Sequence, residues 1–96
     1  MKSESIELIT QYKDGTEIKE NAVKIFARKK SLTRNEFYSA YGVGLNPSYI
    51  FVVHTPEYKL ADVGSYRATH IRYAGRLFEI VRAYEVDRFN TEITVK

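Results

Sequence analysis

Arg28, Lys29 and Lys30, with Arg34 just beyond them, form the densest charge in the sequence. Lys and Arg attract phosphates without regard to base sequence, and that attraction weakens as salt is added. Phe26, Tyr38 and Tyr41 lie close by in the chain, and aromatics beside cations can stack unpaired bases. The same aromatics at helical spacing serve equally as core, and a short basic run is often no more than a solvated strand end. The four cations are therefore candidates for contact with phosphates, or no more than a solvated strand end.

Other chemistry is poorly represented. His54 and His70 are the two histidines, and neither has a His or carboxylate partner at the three- or four-residue spacing of a helical metal site. Cysteine is absent, which removes thiolate metal sites, disulfides and thiol nucleophiles together. Gly42-Val43-Gly44 lacks the third glycine of a dinucleotide fingerprint, and no Walker or nucleophile-elbow pattern occurs. Glu79, Glu85 and Glu92 fall on expected strands, with nothing in the sequence to pair any two in a cleft. We expect no enzymatic activity, no cofactor and no bound metal.

The elements that must position the cations are mostly strands. Ile6, Leu8, Thr10 and Tyr12 share one parity; Val23, Ile25 and Ala27 form the next alternating set; Phe89, Thr91, Ile93 and Val95 form another. Alternation of this kind marks strands with one buried face. Residues 48–55 are apolar on both parities and end at Pro56, the pattern of a strand covered on both faces or completed by a partner. Residues 69–73 and 76–84 flank Ala74-Gly75, where glycine can supply a positive φ, and so predict a tight hairpin. The expected core is Ile6, Leu8, Val23, Ile25, Ile50, Val52, Ile71, Leu77, Val81 and Ile93.

One stretch departs from the strand pattern. Thr33 and Glu36 have capping-box spacing, Leu32 and Phe37 can form the accompanying staple, and Gly42 or Gly44 can end a helix of two to three turns. Residues 13–21 are polar and contain Asp14-Gly15, which predicts either a hairpin turn with ragged arms or a mobile loop, with their length favouring mobility. Residues 56–68 read as a second long connection, and both connections are candidate docking elements.

These elements sum to one domain over residues 1–96: mainly β, a small antiparallel barrel or sandwich of about six strands, with one short helix between the second and third strands. A chain of 96 residues is of single-domain length, and 44% hydrophobic with 28% charged residues is a composition that supports one core. The net charge of +3 only weakly favours a polyanionic neighbour. Eight Tyr and five Phe with no Trp point more strongly to extensive contact surface. No apolar run approaches the roughly 18 residues that would cross a bilayer, and we expect a soluble protein with no membrane partner.

Three strings, residues 26–41, 49–58 and 71–80, taken in that order, resemble the head-tail joining family of tailed bacteriophages. The resemblance is carried by Thr33-x-x-Glu36-Phe37-Tyr38 after a long strand, a following strand, and Tyr73-x-Gly75 in a hairpin before a final strand. It covers residues 22–96, while the first strand and residues 13–21 match in outline only and the 56–68 connection is longer than the common form. The resemblance implies a head-completion, or stopper, protein of a phage or prophage. Such a protein docks as a ring of its own copies on a portal-adaptor ring, helps retain packaged DNA and offers the tail completion protein its attachment surface. The implied location is the virion head-tail connector, after synthesis in the host bacterial cytoplasm. In this family the segment between the second and third strands faces the channel and rearranges. That implies a gating role for Thr33, Glu36, Phe37, Tyr38, Tyr41, Gly42 and Gly44, and DNA-facing roles in the channel for Arg28, Lys29, Lys30 and Arg34. A tail-side connector, or a free-standing OB-like nucleic-acid-binding module, is the alternative.

Overall fold

A computed structural model describes residues 3–30 and 49–96. The chain forms strands β1 (Ser3–Asp14), β2 (Glu17–Lys30) and β3 (Tyr49–His54), a one-turn helix α1 (Thr55–Lys59), and strands β4 (His70–Tyr73), β5 (Arg76–Glu85) and β6 (Asn90–Val95). The strands close into a six-stranded antiparallel barrel in the order β1-β2-β3-β6-β5-β4. The expected antiparallel β architecture is therefore present, as a barrel. The helix expected between the second and third strands falls outside the described residues. The described helix sits between β3 and β4.

Alternation explains which side chains fill the barrel. Ile6 and Leu8 on β1, Ile25 and Ala27 on β2, Phe51 and Val53 on β3, Ile71 on β4, Phe78 on β5, and Ile93 and Val95 on β6 meet in one buried cluster. A barrel of this size is filled by its own side chains, so the lumen lined by the described residues is a core. Of the expected core, Ile6, Leu8, Ile25, Ile50, Ile71 and Ile93 are buried, and Val23 packs on the cluster while partly exposed. Both parities of β3 are covered, as Ile50 and Phe51 show. Val52 is only half-buried, and Phe51 and Val53 take the interior face.

Leu77 and Val81 depart from expectation. The β4–β5 register pairs Ile71 with Phe78, so Phe78 faces inward and its neighbour Leu77 is left 49% exposed. The β5–β6 register then slips between Ile80 and Arg82, a bulge that shifts the inward parity so that Ala83 opposes Ile93. Val81 sits in that irregularity and is half-buried. Phe89 precedes β6 and is exposed, which removes it from the expected alternating set.

The two expected loops are both more ordered than their composition suggested. Residues 13–21 form no mobile loop: β1 and β2 stay paired to Asp14↔Glu17, and Gly15-Thr16 alone makes the turn. Gly15 has φ +67° at the first central position, where type II′ turns place glycine. Residues 11–20 extend beyond β4, which pairs only with Glu7, Leu8 and Ile9 of β1, and so form a projecting arm. Residues 56–68 contain most of α1 and a bridge between Val63 and Tyr66. Pro56 lies in the first turn of α1, where its missing N–H costs nothing.

The Ala74-Gly75 hairpin is present as expected, with φ +51° at Ala74 and +78° at Gly75. Positive φ at both central positions is the type I′ turn, which favours Asn-Gly. Alanine in the left-handed region is strained by roughly 1 to 2 kcal/mol. Ala74→Asn should therefore raise stability by about 0.5 to 1 kcal/mol, seen as a higher urea midpoint with an unchanged slope.

Candidate functional site

Strand alternation divides the basic run. Arg28 and Lys30 have backbone partners Val52 and Ile50 on β3 and share the outer face of the barrel, while Lys29 points with Ala27 toward the interior. Three consecutive cations on a strand cannot present one face, because successive side chains alternate. Arg34, and Thr33, Glu36, Phe37, Tyr38, Tyr41, Gly42 and Gly44, lie outside the described residues.

Lys29 closes one mouth of the barrel. Its Nζ donates to Tyr73 Oη at 3.2 Å, and Tyr73 Oη donates to Glu4 Oε1 at 2.8 Å. The ammonium also lies 4.9 Å from the Tyr49 ring centroid and 5.2 Å from that of Tyr73. The Tyr73 hydrogen bond, with smaller help from the negative charge of Glu4, raises the Lys29 pKa against the opposing effect of burial. Beneath it Tyr49, Phe51, Tyr73 and Phe78 pack edge to face or tilted at 5.2 to 5.9 Å. Lys29 thus keeps its charge by lying over tyrosine faces, with its stem on aromatic rings.

The other mouth is closed by α1 and the segment after it. Tyr58, Ala61 and Ala68 join the core cluster. Thr10 Oγ1 donates to the Ala61 carbonyl at 2.6 Å, Asn21 Nδ2 donates to the same oxygen at 3.2 Å, and the Thr55 and Thr91 hydroxyls meet at 2.9 Å. Buried threonines in a small barrel are tolerated because each hydroxyl has such a partner.

The outer face of β2, β3, β6 and β5 carries the remaining candidate residues. Register places Arg28, Val52, Glu92 and Tyr84 in one row, and Lys30, Ile50, Thr94 and Arg82 in the next. Lys30 Nζ lies 3.5 Å from Glu92 Oε1, and the Arg82 guanidinium lies 5.3 Å from the Tyr84 ring centroid. Phe26 and Tyr84 are exposed on this side. An open groove of about 260 Å³ adjoins Arg28, lined also by Phe26, Val52, His54, Glu57 and Asn90. That volume is below the range usual for small-molecule sites, and the groove suits a surface contact better than an enclosed ligand. Ile50 and Thr94 within these rows are buried, so what this face exposes is three cations, the rings of Phe26 and Tyr84 and two carboxylates, Glu92 and Glu57; the cations can hold phosphates and the rings can stack.

The histidines and carboxylates do not converge. His54 borders the groove, His70 Nδ1 lies 2.8 Å from Thr69 Oγ1, and among the described residues no three His, Cys, Asp or Glu side chains are grouped to hold a metal ion. Sequence reasoning missed Asp87, whose Oδ1 accepts the Phe89 and Asn90 amides, each at 2.8 Å, and so shapes the β5–β6 turn. The available signal was Asp87 two and three residues before these amides, the spacing of an Asx turn.

Those amides, Phe89 first, hold the Asp87 carboxyl below its ordinary pKa. A depressed folded pKa stabilises the fold above the unfolded value, and the contribution disappears as pH falls through the folded value. Melting curves should show wild type losing more stability than Asp87→Asn between about pH 5 and pH 2. Parallel losses in the two proteins would remove Asp87 from the acid response.

No family model, no curated protein and no solved structure matches the chain.

Proposed function

We propose that this chain is a structural component of the connector between the head and tail of a bacteriophage, of the head-completion type. It docks as a ring of copies on a portal-adaptor ring, helps retain packaged DNA and presents the surface to which a tail completion protein attaches. The observation that carries this proposal is the end of β2. Arg28 and Lys30 share the outer face of a closed barrel just before residue 31, where the segment that resembles the connector's channel gate begins. In a ring with that face toward the channel, the cations hold DNA through its phosphates, independent of sequence. Lys29 serves the barrel mouth instead, and the gate lies within residues 31–46. The protein acts in the virion after synthesis in the bacterial cytoplasm.

The test is a phage that depends on this gene, carrying Arg28→Glu with Lys30→Glu, with DNA-filled heads and tailed particles counted separately. Both side chains are exposed, so folding should be unchanged. Loss of DNA from heads that still assemble is the expected result. Normal retention with failed joining would move the face to the tail side of the connector, and normal values for both would overturn the role in the channel. Phe26 and Tyr84 beside these cations favour one second reading, an OB-like nucleic-acid module. Tight, salt-sensitive binding of oligonucleotides by the isolated monomer would support it over the connector.

A further inference from the structure

Lys30 does not stand free on the outer face. Its backbone partner is Ile50, and the partner of Ile50 on β6 is Thr94, so Glu92 lies two strands away and one outer row along. The Lys30 side chain crosses β3 to bring its Nζ within 3.5 Å of Glu92 Oε1. Both ends of the pair stay open to solvent, Lys30 at 47% and Glu92 at 31%. An exposed pair of this kind adds almost nothing to folding, so stability does not account for a carboxylate set among these cations. Arg28 differs, because among the described residues no carboxylate lies within ion-pair distance of it, although Glu57 lines the same groove.

We propose that Glu92 competes with phosphate for Lys30 and so sets how tightly this face holds nucleic acid. This role rests on the proposal that the face meets DNA, and it names what regulates that contact. With the face empty, the Glu92 carboxylate occupies the ammonium. A phosphate oxygen that reaches Lys30 takes the place of Glu92 Oε1, one anion for another, and leaves a carboxylate beside the bound strand. Lys30 then adds little to affinity, because its gain from phosphate is offset by the loss of Glu92 and by the repulsion left behind. It adds equally little to the salt dependence. The freed carboxylate restores the negative charge that the ammonium has just neutralised, so no net counterion leaves. Arg28, with no such internal anion, supplies the standing attraction, and the Lys30–Glu92 pair limits it. In a connector this division holds DNA at rest, yet lets each phosphate exchange readily as the duplex runs through.

The experiment titrates a labelled DNA duplex of about 20 base pairs with the full chain, read by fluorescence anisotropy from about 20 mM salt upward. Circular dichroism checks that each variant is folded. Glu92→Gln should tighten binding about fivefold near the low end of the series and steepen the logarithmic salt slope by about 0.9, the share of one phosphate contact. In a Lys30→Gln background the same substitution should gain less than about twofold, since no ammonium is left to release and more distant charges are screened. Arg28→Gln should weaken binding whether residue 92 is Glu or Gln. An equal gain from Glu92→Gln in both backgrounds overturns the proposal, because Glu92 would then act without Lys30. Binding that Arg28→Gln weakens but Glu92→Gln leaves unchanged also overturns it, while keeping the phosphate-binding face. A duplex that neither wild type nor Glu92→Gln binds at about 20 mM salt overturns the DNA-facing role of the face, and that of Glu92 with it.

Discussion

Phe51→Ala should destabilise the barrel by about 3 to 5 kcal/mol, the usual cost of removing a fully buried aromatic. Phe51 is 0% exposed and touches both levels of the interior, with Tyr73 at 5.2 Å and Tyr49 at 5.9 Å above it and the aliphatic cluster below. Neighbouring rings cannot collapse into the space without giving up their own contacts with Lys29 and Phe78, so a cavity remains. For a small domain whose total stability is of order 5 to 15 kcal/mol, the loss is a large fraction of the whole. Urea denaturation should show a much lower midpoint with little change in slope. Leu77→Ala, which removes an equally apolar but exposed side chain, should stay within about 0.5 kcal/mol. A loss of several kcal/mol for Leu77→Ala would reverse the assignment of inward parity on β5.

Tyr58→Ala is the second large effect, about 3 kcal/mol by the same cavity argument. Five residues are too few for a helix to persist in water, so α1 exists because Tyr58 and Thr55 are buried and because Ala61 accepts two side-chain hydrogen bonds. Removing the Tyr58 ring takes away the main apolar anchor and opens the mouth of the barrel beside Thr91. The global midpoint should fall, and the Ala61 amide should lose protection from hydrogen exchange earlier than the strands. An unchanged midpoint would mean that the plug can detach without loss to the barrel. Burial also pushes the Tyr58 hydroxyl above its ordinary pKa, as expected for a phenol held against the core.

Much of the barrel could be read from the sequence because half-buried strands announce themselves by alternation. Ile6 and Leu8, Ile25 and Ala27, and Ile93 and Val95 all face inward as their spacing requires. The projecting arm was misjudged for a physical reason. Its residues, such as Lys13, Glu17 and Lys19, lie beyond the core, so no apolar parity exists to mark them as strand, and only Asp14-Gly15 hinted at the turn. The helix α1 is shorter than two helical periods and left only Pro56, followed by Tyr58 and Ala61 three residues apart. The bulge at Val81 is set by pairing with β6, and pairing is not a local property of residues 76–85.

The candidate site was half legible. Position along the chain singled out Arg28, Lys29 and Lys30, yet the alternation that identified β2 as a strand also separates Lys29 from its neighbours. Arg82 and Tyr84 could not have been joined to them, because that row forms only when β3 and β6 intervene between β2 and β5.

The seam between β1 and β4 governs the order of events during synthesis. It consists of Glu7↔Arg72, Leu8↔Ile71 and Ile9↔His70, partners separated by about sixty positions, whereas β1 finds β2 across a two-residue turn. At the ribosome the first hairpin can form early, with Ile6, Leu8 and Ile25 still facing water until β4 and β6 arrive. Closing the cylinder thus waits on its shortest and most distant ladder, and such long-range closure slows folding relative to local pairing. In that interval the nascent hairpin has its greatest need of a chaperone, and crowded translation of many copies at once would be the moment of greatest exposure to aggregation.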